Sequence, residues 1–195
     1  MKNKYWKKLK IFGCTGEPFF SKKEILLIKA IAKKYPNIKF RFHTNGILAD
    51  EKLLKHLGIY GKIHSFTVSI HAATEKTYKN IVKGGNYKKL FNNLKLYSKM
   101  KKENLIDDFR LVFVVISENY KEMPLFANIA KELGATFDFW TYRNNLTEFS
   151  KNSFNFDLTN SEHPEHKNLI DVLKNPIFDE QFVCLYPELN VLRNK

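Results

Sequence analysis

The chain has 195 residues with a formal net charge of +13, 44% of them hydrophobic and 14% aromatic. That is within the size of one domain and enough to bury roughly 70% of the unfolded surface, so a globular protein is expected. No run approaches the roughly 20 apolar residues of a membrane span, and Met1 to Lys8 lacks the apolar stretch of a secretory signal, so the expected setting is the cytoplasm with no membrane partner.

The charge raises nucleic acid as a partner, but its kind argues against it. There are 29 Lys and only 4 Arg, and Lys lacks the planar fork that reads phosphate and guanine edges. The lysines fall as pairs, Lys22 with Lys23, Lys33 with Lys34, Lys88 with Lys89 and Lys101 with Lys102, on what read as solvated helix faces. Two cysteines, Cys14 and Cys184, make neither a disulfide framework nor a metal-spacing motif.

In chain order, Leu9 to Cys14 reads as an apolar strand ending in the turn Gly16-Glu17-Pro18. Gly16 there can take a positive φ, Pro18 fixes the exit, and Glu17 puts a carboxylate at the strand's C-terminal edge. Ser21-Lys22-Lys23-Glu24 is a capping box that opens a helix carrying Ile25, Leu27, Ile28, Ile31 and Ala32 at helical spacing, stopped by Pro36. Ile38 to His43 reads as a strand, Thr44-Asn45-Gly46 as a turn, and Asp50 to Leu57 as a short helix.

Lys62 to His71 is the next strand, followed by helices over Thr74 to Lys83 and Tyr87 to Lys102 with Gly84-Gly85 between them. Phe109 to Ser117 is β-branched and reads as a strand, Lys121 to Leu133 as a helix closed by Gly134, and Phe137 to Tyr142 as a fifth strand. Strands alternating with helices demand parallel pairing through crossovers. Asn144 to His166 reads as a connecting segment, Glu165 to Leu173 as one more helix, and the tail around Cys184 as the opening of an element the chain does not finish.

Within Lys62 to His71 the alternation is clean. Phe66, Val68 and Ile70 point one way, and Ser65, Thr67, Ser69 and His71 the other. The polar row is expected to face a wet or ligand-filled cavity; the alternative is an edge strand with one face in water. Strand ends also supply Gly16-Glu17-Pro18, Thr44-Asn45-Gly46, Ser69 with His71, and Ser117 with Asn119, and parallel strands bind ligands at that end.

The order Leu9 to Phe20 with its Gly16-Glu17-Pro18, then Thr44-Asn45-Gly46, Val68-Ser69-Ile70-His71-Ala72, Thr74 to Tyr78 with Ile81 to Asn86, and Asn119 before a helix ending Leu133-Gly134 resembles the core of radical S-adenosylmethionine (SAM) enzymes over about residues 8 to 143. The resemblance implies an α/β partial (β/α)6 TIM-like barrel with parallel strands, in which SAM binds a [4Fe–4S] cluster and yields a 5′-deoxyadenosyl radical that abstracts a substrate hydrogen. It implies that Thr15, Gly16, Glu17 and Pro18 receive the methionine amino group, with Asn45 on the same rim. It implies that Ser69 and His71 hold the ribose and carboxylate, and that Ile116, Asn119, Thr141 and Tyr142 flank the adenine.

The resemblance also implies that the first βα unit, with its Cys-x3-Cys-x2-Cys loop, is missing. Residues 1–143 would then be strands 2 to 6 of the barrel, and 144–195 a connecting segment and the truncated start of a C-terminal extension. Three thiolates are needed to hold the cluster, and this sequence has two. No metal ligand and no catalytic residue is therefore assigned to it. Cys184-Leu185-Tyr186-Pro187 resembles the opening of the cysteine-rich SPASM extension; a plain buried cysteine is the other reading. Three functions stay open: a radical SAM fragment that is inactive alone and partnered by a separately encoded N-terminal piece, a cluster-free α/β binding module, and a basic nucleic-acid-binding domain. The substrate is not specified by the sequence, a peptide being one class that the extension would suit.

Overall fold

The computed structural model describes residues 8–11, 16–142 and 156–194, with the backbone alone at 8–11. Cys14 and Thr15 lie outside the described residues. The elements alternate as expected: β1 (Lys8–Ile11), α1 (Lys22–Lys34), β2 (Lys39–Thr44), α2 (Glu51–His56), β3 (Ile63–Ser69), α3 (Glu75–Ile81), α4 (Tyr87–Lys102), β4 (Ile106–Val115), α5 (Met123–Leu133), β5 (Thr136–Thr141), α6 (His166–Leu173), β6 (Val183–Leu185) and α7 (Pro187–Arg193). The strands follow one another in the sheet in chain order. The pairs β1 with β2, β2 with β3 and β5 with β6 are parallel, so the fold is the parallel α/β class expected, consistent with a partial TIM-like barrel. Among the described residues no helix is long and apolar enough to cross a membrane.

The chain folds as two compact units. The first holds Met1–Ser69, Asn86–Arg110 and Leu133–Ala135; the second holds Ile70–Gly85, Leu111–Glu132 and Thr136–Lys195. In the first, helix starts follow side-chain chemistry. The oxygens of Ser21, Asp50 and Asn86 each accept the N–H three residues on, at 3.4, 2.9 and 2.9 Å, which satisfies donors that a helix cannot pair internally. Helix α1 buries Ile28 and Ala32 while Ile25 and Ile31 are half-buried and Leu27 is exposed. Leu27 is one position, about 100° around the helix, from Ile28, so the stripe is narrower than its apolar count.

Phenylalanines form the core of this unit. Phe40 and Phe42 alternate inward on β2 and stack at 5.6 Å. Phe42 meets Phe66 of β3 at 5.8 Å, and Phe66 meets Tyr97 of α4 at 4.5 Å. Phe19, directly after the Glu17 turn, closes on Phe42 at 4.9 Å. Each such ring buries on the order of 150–250 Å², so the turn is anchored by its own neighbour in sequence.

The second unit repeats the pattern with Phe113, Phe126, Phe137, Phe139 and Phe178, with ring centres 4.9 to 5.5 Å apart along the chain of contacts Phe113–Phe126, Phe126–Phe137, Phe113–Phe139 and Phe139–Phe178. A 3-10 turn at Tyr120–Glu122 leads into α5, and Gly134 ends the helix at φ +66° as its type predicts. In the tail, Val183–Leu185 pair in parallel with Phe137–Phe139, and Pro187–Arg193 form a helix that buries Leu189 and Leu192. The apolar pairs that dictate this, Val183 with Leu185 and Leu189 with Leu192, are too short to show a period in the sequence. Cys184 lies on β6 with its side chain exposed, which corrects the buried-cysteine reading.

Glu122 holds the second unit's first helix. Its carboxylate accepts the N–H groups of Ala73 and Thr74 at 2.7 and 3.2 Å and the hydroxyls of Thr74 and Thr77 at 2.6 Å each. Bonds to a charged acceptor contribute about 1.5–3 kcal/mol. Glu122→Ala is therefore expected to lower the urea midpoint by the equivalent of about 2–4 kcal/mol, since four donors lose one acceptor; an unchanged midpoint would show that water replaces the carboxylate at no cost.

Candidate functional site

The turn after β1 and the end of β2 meet through one carboxylate. Glu17 Oε1 accepts the Thr44 hydroxyl at 2.6 Å and the Phe19 N–H at 3.3 Å, and its Oε2 accepts the Asn45 N–H at 2.8 Å. Each carboxylate oxygen has two lone pairs, so acceptor capacity remains on Oε2. A cavity of about 230 Å³ opens here, lined by Gly16, Glu17, His43, Thr44, Asn45 and Ser69. That is below the roughly 300–1,000 Å³ that encloses a drug-sized ligand. It receives one end of a molecule rather than the whole of one.

The backbone around Asn45 is fixed from behind. Thr44 Oγ1 accepts the Gly46 N–H at 3.1 Å, and Asn45 Oδ1 accepts the Ile47 N–H at 2.9 Å. From α4, Asn93 Nδ2 donates to the carbonyls of Gly46 and Ile47 at 2.8 and 3.0 Å, and the Tyr97 hydroxyl donates to that of Ala49 at 2.8 Å. Burial pushes the Tyr97 hydroxyl well up, with the Glu17 and Asp50 carboxylates adding to it, so it stays a donor. Gly46 sits at φ +76°, and a Cβ there would come within 2.7 Å of Val68 Cγ1 and 2.8 Å of Leu90 Cδ1. Only glycine fits.

The structure thus brings Gly16, Glu17, Asn45 and Ser69 to one cavity, with Pro18 buried directly behind the Glu17 turn. Gly16 is not among the glycines at positive φ; the conformation expected of it is adopted by Gly46 instead, where the backbone must turn inward under two side chains. A Cβ on Gly16 would meet nothing within 4 Å among the described residues. Its value is open space beside the carboxylate.

Thr44, read from the sequence with Asn45 and Gly46 as a strand-end turn, is the hydroxyl clamp on Glu17. Two residues were missed by the sequence reading: His43, whose Nε2 lies 2.7 Å from Ser69 Oγ inside the cavity, and Arg41, which follows on the same face of β2. Their signal was present. Lys39, Arg41 and His43 alternate with Phe40 and Phe42 with the same period of two that marked β3.

The other expected residues belong to the second unit. His71 has φ +61°, accepts the Val114 N–H on Nδ1 at 3.0 Å, and gives its carbonyl to Asn119 Nδ2 at 2.9 Å. Asn119 is 1% exposed, with Nδ2 also on Val114 O at 2.8 Å and Oδ1 on Ile116 N–H at 2.8 Å, so its amide holds the turn after β4. Ile116 is half-buried in that turn, Thr141 ends β5 nearly buried, and Tyr142 packs on Phe156 at 5.3 Å.

At the start of the strands in the first unit a charged network replaces the cavity. Asp107 binds Lys39 and the Nδ1–H of His64, the latter at 2.7 Å, and the His64 Nε2 accepts from Arg41 Nη2 at 2.8 Å. The His64 bond, with that of Lys39, holds the Asp107 carboxyl below the usual carboxylate range. Among the described residues no group of three His, Cys, Asp or Glu could hold a metal ion.

The family model of the radical SAM superfamily matches residues 2–128, more than half of the chain. No curated protein matches it.

Asp107 generates a pH prediction. A carboxylate whose folded pKa is depressed stabilises the fold above its unfolded value of about 3.9 and loses that contribution as pH falls through the folded value. Urea midpoints measured from pH 6 down to pH 3 should fall less steeply for Asp107→Asn than for the parent chain. Identical acid slopes would show that the network adds nothing.

Proposed function

Because the chain belongs to the radical SAM superfamily, we propose that the cavity at Glu17 binds the methionine end of S-adenosylmethionine. The family's chemistry joins SAM to an iron–sulfur cluster and proceeds by radicals. What supports placing SAM here is the Glu17 carboxylate, oriented by Thr44 and Asn45 at the C-terminal end of β2 and facing a cavity sized for one end of a ligand. An ammonium group carries three donors and no acceptor, and a carboxylate already aimed by two donors is its natural partner. Open space at Gly16 admits the ligand to that carboxylate, and the His43 with Ser69 pair offers further polar groups in the cavity lining.

The cluster does not fit this chain's own residues. A [4Fe–4S] centre takes three or four thiolates, and the sequence holds Cys14 and Cys184, 170 positions apart. Cys184 stands exposed on β6. The thiolates would have to come from outside this sequence, and no step through the cluster is assigned to these residues. In this reading the chain contributes the SAM cradle, and hydrogen abstraction by this chain alone does not occur.

Two measurements test this. Calorimetric titration with SAM should show one site, and Glu17→Gln should weaken it by roughly 10–150-fold, the equivalent of about 1.5–3 kcal/mol for a hydrogen bond to a charged group. Equal affinity in the variant would remove Glu17 from the site. Reconstitution of the chain with iron and sulfide should leave it without stoichiometric [4Fe–4S] absorbance or its electron paramagnetic resonance signal after reduction; a full cluster in the monomer would overturn the division of labour.

A further inference from the structure

Arg41 is half-buried, and among the described residues of the first unit it is the one charged group with a buried nitrogen that lacks a hydrogen-bond partner. Its Nε is shut off from solvent and has no hydrogen-bond partner among the described residues. Its Nη2 donates to His64 Nε2 at 2.8 Å. That partner is an imidazole nitrogen, which carries no negative charge, and the other ring nitrogen is engaged by Asp107 at 2.7 Å.

The neighbouring carboxylates are engaged elsewhere: Asp107 by Lys39 and His64, Asp108 by the Ser65 hydroxyl at 3.2 Å and Arg110 Nε at 3.9 Å. A guanidinium stays charged at any working pH, and a buried N–H left unpaired is destabilising. Strand geometry decides where this charge lies. Arg41 and His43 share a face of β2, two residues and so roughly 7 Å apart, with Ser65 and Thr67 opposite them on β3. His43 lines the Glu17 cavity. The Arg41 fork is therefore one step along the same polar face from that cavity, deeper toward the strand starts.

We propose that Arg41 anchors an oxyanion, a carboxylate or a phosphate, of the molecule acted on beside the Glu17 cavity. This rests on reading that cavity as the SAM site. The planar fork can donate two parallel N–H bonds to either oxyanion, one of them from the unpaired Nε. The substrate class is then an anionic one whose charged group lies roughly 7 Å from the group at His43. His64 has a positioning role, holding the fork by Nη2 and leaving Nε to the ligand.

Four arginines make the test direct. The Nε–H resonances of the uniformly 15N-labelled chain are few, and that of Arg41 is identified by its loss in Arg41→Lys. Acetate and inorganic phosphate are titrated separately at constant ionic strength, with and without saturating SAM. The Arg41 Nε–H should move and saturate with at least one anion, while Arg110 and Arg193 change little; saturation by acetate alone assigns a carboxylate, by phosphate alone a phosphate, and by both the shared oxyanion site. Arg41→Lys should weaken the same anion, read by calorimetry, by about tenfold or more.

Linear drift equal to that of Arg193 with both anions would overturn the proposal, as would SAM itself saturating Arg41 and abolishing the anion response. Glu17→Gln separates the two readings. Loss of SAM binding with the Arg41 response kept supports both, whereas a parent chain that answers acetate or phosphate but not SAM keeps the subsite and removes the SAM assignment.

Discussion

One carboxylate organises the site. Glu17 is fixed by the Thr44 hydroxyl and the Asn45 N–H, so the turn after β1 and the end of β2 cannot move independently. Around that clamp the supports are stacked: Phe19 buried on Phe42, Asn93 and Tyr97 holding the carbonyls of the next turn, and Gly46 filling a space where no side chain fits. An acid placed this way has little freedom to lose on binding a cation, which is the physical sense of preorganisation.

The same economy explains the polar face of β2 and β3. Its residues are neither core nor plain surface. His43 reaches Ser69, Ser65 reaches Asp108, and Arg41 reaches His64 with one N–H still unpaired. Their apolar counterparts Phe40, Phe42, Phe66 and Val68 are buried. A strand that is oily on one side and satisfied by internal hydrogen bonds on the other is shaped for a polar cavity rather than for bulk water.

Much of this was legible. The period of two in β3 gave its two faces, Ser21 gave the start of α1, and Gly134 gave the end of α5. Glu17 and Asn45 came from their turns at strand ends, and the resemblance added the ligand they would meet. What the sequence concealed was long-range: that Thr44 bonds a carboxylate 27 positions away, that Glu122 caps a helix starting at Glu75, and that Val183–Leu185 completes a strand pair with β5. Strand β4 begins at Ile106 rather than Phe109 because the charges of Asp107 and Asp108, which interrupt the apolar run, are satisfied by Lys39, His64 and Ser65 from other strands. Local patterns cannot report partners that only the fold supplies.

The most direct measurement is the set of backbone amide shifts on adding S-adenosylmethionine to the labelled chain. The account predicts saturable shifts concentrated at Gly16, Glu17, Asn45, Gly46 and Ser69 with one dissociation constant. Saturable shifts that leave these five unmoved, or none at all, would contradict it.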